Sequence, residues 1–358
     1  MGSNNPENRP PMSGALTYPA SSQQSPVQRV AEQPRQPRSL QGLLRFAMEA
    51  TKAEDAPGNT ELGPMDDERR KFLEDALKSL TVNVAQVLEN SIKVLTNSAK
   101  MNSIQLGDDL PDDVKNAFTV LLDYVDDLDV ANDFYKMGGF AVFAICYGSE
   151  NEEVRARASA LLGTLCQNNP FCQARALECG LLNVLLNLME TERGTTLAKC
   201  LFAISCAVRE FEPSCRELVA QGGCQSLLQL LAVPEPAART KAAFLVRYFA
   251  QHYSEAKEQF VRANIVRTIT GLIEKGRDES TEHLLSILQV MSDDLDPKVL
   301  TQCRDPSLKL ETVLKNYLRR PELKDDRYCE EKEYCNELLN RLFIQPQRVD
   351  LVEEVADR

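Results

Sequence analysis

Four short stretches decide the fold: Met137-Gly138-Gly139-Phe140, Glu178-Cys179-Gly180-Leu181, Gln221-Gly222-Gly223-Cys224 and Arg262-Ala263-Asn264-Ile265. Each is a small-residue turn that opens a new apolar helical segment. Aligned on Gly139, Gly180, Gly223 and Asn264, they repeat every 41, 43 and 41 residues. A period of about 40–47 residues built only of helical patterns is the signature of armadillo or HEAT repeats. Such a unit cannot cover its own apolar face. It is stabilised by its neighbours, and the array grows into a curved rod. The expected fold is therefore all-α: a right-handed superhelical solenoid of armadillo-like repeats with helical caps at both ends.

Working outward, a long apolar helix stands before each turn, separated from it by a loop, and reads as the third helix of an armadillo unit. The versions are 118–125, 159–166, 201–208 and 243–250, and a fifth at 284–291 closes the array. Pro170, Pro213 and Pro297 lie just past such helices and are read as their ends. The period holds over 112–300. The 38–111 stretch reads as an N-terminal helical cap, with helices over 39–48, 66–80 and 82–97. Beyond 300 the period is lost, and 301–345 reads as C-terminal capping helices. Residues 1–37 are rich in Pro, Ser, Gln and Asn and bury too little apolar surface to order, so they read as a disordered tail. Residues 346–358 read as a flexible tail.

Composition narrows the function. The 358 residues are 43% hydrophobic but only 6% aromatic, with no Trp, which suits stacked helices better than a β-sandwich. The formal net charge of −12 disfavours nucleic acid as a partner. No apolar run is long enough to cross a bilayer, and the N-terminus carries no secretory pattern. A soluble cytoplasmic protein, with access to the nucleus, is expected. The eleven Cys form no C-x-x-C pair and the two His are far apart, so neither metal nor disulfide is expected. Cys146, Cys166, Cys200 and Cys206 lie in apolar helical stretches and read as reduced core residues. No phosphate loop, zinc-protease motif or nucleophile elbow occurs, so the chain is not expected to be an enzyme or to carry a cofactor.

What remains is surface. Positions i, i+3 and i+7 of the third helices share a face. They give Thr119, Leu122 and Asp126; then Ala160, Gly163 and Gln167; then Phe202, Ser205 and Arg209; then Phe244, Arg247 and Gln251. A stripe mixing arginine, phenylalanine and amides has the composition of a protein interface. The acidic stretch Asp127–Phe134 reads as a loop at one end of that groove, placing Ala131 and Asn132 at its rim.

Several stretches in this order resemble the Hsp-binding armadillo family of nucleotide exchange factors for the seventy-kilodalton heat-shock chaperone. They are Ser39-Leu-Gln-Gly-Leu-Leu44, Met65-Asp-Asp-Glu-Arg-Arg70, Ala131-Asn-Asp-Phe134, Leu201-Phe-Ala-Ile-Ser-Cys206, Val208-Arg-Glu210, Lys241-Ala-Ala-Phe244 and Cys303-Arg-Asp-Pro306. The resemblance spans about residues 38–345. It implies a monomeric co-chaperone whose concave face embraces the chaperone's ATPase domain and promotes ADP release. It also implies a tail, residues 1–37, that occupies the chaperone's substrate site. The implied contacts are Ala131, Asn132, Gln167, Asn168, Phe202, Arg209, Glu210, Arg247 and Gln251. An arginine at Ala131 is then expected to weaken binding without unfolding the repeat. Two other readings stand beside this one: an armadillo scaffold for extended peptides, and an enzyme-inhibitory subunit. Peptide-binding scaffolds usually present Asn and Trp ladders, and Trp is absent here.

Overall fold

The computed structural model describes residues 83–344, together with Asp67, Arg70 and Lys71. Those three residues are helical, within the expected 66–80 helix, and belong to a separate unit, Met1–Val82. The 1–37 and 346–358 tails, the 39–48 helix and the rest of the 66–80 helix lie outside the described residues.

Within 83–344 only helices and turns occur. The first are α1 (Val84–Leu95), α2 (Ser98–Met101) and α3 (Asp112–Tyr124). Five three-helix units follow. The first is α4 (Leu128–Lys136), α5 (Ala141–Tyr147) and α6 (Glu152–Cys166). The second is α7 (Pro170–Glu178), α8 (Leu181–Thr191) and α9 (Gly194–Val208). The third is α10 (Glu212–Ala220), α11 (Gly223–Leu230) and α12 (Pro236–His252). The fourth is α13 (Ser254–Arg262), α14 (Ile265–Lys275) and α15 (Thr281–Ser292). The last is α16 (Pro297–Cys303), α17 (Leu310–Leu318) and α18 (Cys329–Phe343). The third helices α3, α6, α9, α12, α15 and α18 pack in that sequence along one layer. Their aliphatic faces, with Leu161, Leu165, Leu201, Ile204, Leu245, Val246, Leu284 and Ile287 buried, form one continuous core.

The turn residues explain the repeat, with a change of register. The left-handed position is Gly138, Gly180, Gly222 and Asn264, with φ from +57° to +80°. These stand 42 residues apart each time. Gly and Asn take this conformation at least cost, so they end one helix and aim the next. Gly139 and Gly223 sit one place later, against the Phe134 ring and Leu218, where a Cβ would collide.

Three expectations change. The 127–134 stretch is not a loop. Asp127 accepts hydrogen bonds from the amides of Asp129 and Val130 and so caps α4, a helix that buries Ala131 and Phe134. Pro170 and Pro297 do not end helices but open them, and Pro213 is the second residue of α10; there the missing N–H is not needed. Finally, 301–343 keeps the three-helix order. Lys309, with φ +49°, takes the turn position 45 residues after Asn264, and 3₁₀ turns at Pro321–Lys324 and Asp326–Tyr328 stretch the spacing further. Buried Glu331 anchors this end: Arg277 donates to both its carboxylate oxygens at 2.9 and 3.1 Å, and the Tyr317 hydroxyl donates as well.

Candidate functional site

The stripe of third-helix positions faces outward. Thr119, Asp126, Gln167, Arg209, Phe244 and Gln251 are exposed; Leu122, Ala160, Phe202, Ser205 and Arg247 are half-buried; Gly163 alone is buried. Gly163 is covered because the Phe202 ring of α9 lies on it. A Cβ there would stand 2.4 Å from a ring carbon. Glycine inside a helix costs about 1 kcal/mol against alanine, and here it makes room for an aromatic side chain at the surface.

Around Phe202 the C-terminal ends of α6 and α9 and the first half of α12 line a hollow of about 310 Å³. Gln167, Asn168, Phe202 and Arg209, all expected from the sequence, line it. So do Ser205 and Phe244 from the stripe, together with Leu201, Cys206 and Lys241. Lys241 places its ammonium 5.9 Å from the centre of the Phe202 ring. Sequence reasoning did not place Lys241 in the site, although the repeat could have shown it. It lies one turn before Phe244 and 42 residues after Lys199, at the same position of the next unit.

The other expected residues are placed as follows. Glu210 follows Arg209 at the hollow's edge, exposed and in the left-handed region. Arg247 and Gln251 lie further along α12. Asn132 is half-buried on α4 and accepts from the Asn169 amide at 3.2 Å, which links the first helices of two units. Ala131 does not line the groove. It is 1% exposed, packed beside Phe134, and its carbonyl faces the Cys172 thiol at 3.8 Å. Its side chain points into the core because α4 is a helix with Ala131 and Phe134 on the inner face.

Two charges stand out. Among the described residues, every arginine except Arg209 and Arg247 has a carboxylate, an amide or backbone carbonyl oxygen, or an aromatic ring as partner. The Arg247 Nε is shut off from solvent without a hydrogen bond. In a chain of net charge −12, two guanidiniums with neither ion pair nor hydrogen bond thus stand along this stripe. The Cys206 thiol, near Arg209 and Lys241, is pushed up to about 11 by burial, against the pull of those two cations, so it is not a reactive thiolate at neutral pH.

His283 of α15 lies against the exposed Phe244 ring, centroids 4.2 Å apart. Burial first, and then the Arg247 charge, hold its pKa below the ordinary 6.5. The unfolded chain therefore binds a proton here before the folded one does. This contribution to stability is present above about pH 6.5 and is lost below it, as pH falls through the lowered folded-state pKa. His283→Gln should flatten the fall of Tm as pH drops below about 6.5, relative to the wild-type chain. An identical slope would mean that the imidazole is equally basic in both states.

The fold defines a class: an armadillo-type solenoid, here with a groove of mixed polar and aromatic residues on its third helices. The comparisons carry it further. Residues 40–134 match the model of the nucleotide exchange factor Fes1, and residues 130–247 that of the SIL1/FES1/HPBP1 C-terminal domain. The chain is 30% identical to Hsp70-binding protein 1 of Mus musculus over 320 residues, 87% of this chain and 88% of that protein. It is 30% identical to nucleotide exchange factor SIL1 of Rattus norvegicus over 179 residues, 46% of this chain and 38% of that protein. A designed armadillo repeat protein of known structure superposes with a TM-score of 0.55 at 13% identity, covering 73% of this chain and 100% of its own. The chain belongs to the SIL1/FES1/HPBP1 family of nucleotide exchange factors. Among the described residues, no helix is long and apolar enough to cross a membrane.

Proposed function

We propose that this chain is an Hsp70 co-chaperone that binds the ATPase domain of Hsp70 through the α6–α9–α12 hollow and promotes release of ADP. The observation that carries the reading is the hollow itself. It gathers Gln167, Asn168, Phe202 and Arg209 on one face of a chain that matches Hsp70-binding protein 1 across 88% of that protein's length. The groove accepts one lobe of the ATPase domain and is incompatible with the closed nucleotide cleft. The factor thus binds the open state better than the closed one, and it shifts the equilibrium only by that difference in affinity. Reversing a 99:1 preference for the closed state takes about 5.5 kcal/mol of differential binding. By reciprocity, ADP weakens the factor's own binding. No group of the chain needs to react, so the protein acts as a binding module and not as an enzyme. It works as a monomer, and the eleven unpaired thiols support a cytoplasmic setting.

The test is displacement of a fluorescent ADP analogue from purified Hsp70 and from its isolated ATPase domain. The chain should accelerate release from both. Release at the intrinsic rate from both would exclude the proposed activity, and acceleration with the full-length chaperone alone would move the contact off the ATPase domain.

A further inference from the structure

The Arg209–Glu210 turn is held from two sides. Glu210 has φ +56°, a left-handed conformation that costs a residue with a Cβ about 1 kcal/mol. At the same position one unit earlier stands Asn168, φ +52°, whose side chain suits this region. Glutamate has no such preference. The Glu210 carboxylate thus stands on backbone strained at this point.

The turn is gripped through its backbone. Gln173 of α7 is 3% exposed and donates its amide to the carbonyls of Cys206 at 2.8 Å and Arg209 at 2.9 Å. From the other side, the Tyr248 hydroxyl of α12 accepts the Glu210 N–H at 3.2 Å. The Cys215 thiol of α10 donates to the Val208 carbonyl just before the turn. Elements from both neighbouring units thus fix a conformation that the chain would not choose alone.

We infer that Gln173 and Tyr248 are positioning residues, which lock the left-handed turn so that the adjacent Arg209 and Glu210 present a guanidinium and a carboxylate to a partner surface carrying a base next to an acid. The inference rests on the reading that this face binds Hsp70. Because the turn is ordered before binding, association does not bear the cost of ordering it. Neither residue touches the partner; each acts through the backbone of the turn.

Tyr248→Phe removes the acceptor and keeps the ring, which packs edge-on against Phe249. The Kd for the Hsp70 ATPase domain should rise about fivefold, the worth of one hydrogen bond. In an Arg209→Ala/Glu210→Ala background the same change should have no further effect, since the hydroxyl works only through those side chains. Amide exchange at Glu210 in the isolated chain should also be faster in Tyr248→Phe. Gln173→Met, of similar size, should give the same non-additive pattern. An equal loss in both backgrounds, or unchanged exchange at Glu210, overturns the inference while the binding assignment stands. A wild-type chain that fails to bind the ATPase domain removes the proposed function, and this inference with it.

Discussion

Ala131→Arg should strongly destabilise the N-terminal part of the solenoid. Ala131 is 1% exposed on α4, between the first two units, with fully buried Phe134 one turn away. An arginine there faces two costs. Overpacking a filled core takes about 1–3 kcal/mol, and an unpaired buried charge about 3–5 kcal/mol. The combined loss should be about 4 kcal/mol or more, which lowers Tm on the order of 10 °C for a domain of this size. Circular dichroism at rising temperature reads it directly. Binding to the ATPase domain should fall in parallel with the folded fraction. A variant with wild-type Tm and lost binding would restore Ala131 to the contact surface, where the sequence pattern alone put it.

That reversal shows how far a one-dimensional pattern reaches. The fold was legible because a stack of equivalent units repeats its constraint: a residue able to turn left-handed must recur wherever one helix hands over to the next. The register was legible only to within one residue, since Gly138-Gly139 and Gly222-Gly223 each offer two candidates, one needed for φ and one for space. The stretch 127–134 read as a loop because its acidic residues mask a helix with a narrow apolar face and an Asp cap. The last unit was hidden because Lys309 replaces glycine and two 3₁₀ turns lengthen the interval. The groove-facing stripe survived these errors. It depends on spacing within one helix, which is rigid, and not on the boundaries between helices, which are variable. What no sequence pattern could reveal is pairing. That Arg209 and Arg247 lack partners while Arg155, Arg239 and Arg277 bind carboxylates of other elements is a property of the assembled layers.

Arg209→Ala should have the opposite signature to the core variant: intact stability and impaired binding. The side chain is exposed at the end of α9, and neither a hydrogen bond nor an ion pair holds its guanidinium, so the free protein loses almost nothing, within about 0.5 kcal/mol. In the complex it sits at the rim of the hollow beside Phe202, where a desolvated arginine can be a hot spot of about 2–4 kcal/mol. That corresponds to a Kd roughly 30- to 1,000-fold weaker by calorimetry, with ADP release slowed accordingly at limiting factor. Arg209→Lys separates two sources of the effect. A lysine keeps the charge but not the planar fork, so it should recover only a minor part if the partner acceptor is a carboxylate bound at two points. Full recovery would reduce the contact to long-range attraction, and it would then weaken steeply with salt. An affinity unchanged in Arg209→Ala would leave the residue a smaller role, as a positive charge placed at the C-terminal end of α9 where the helix dipole favours it.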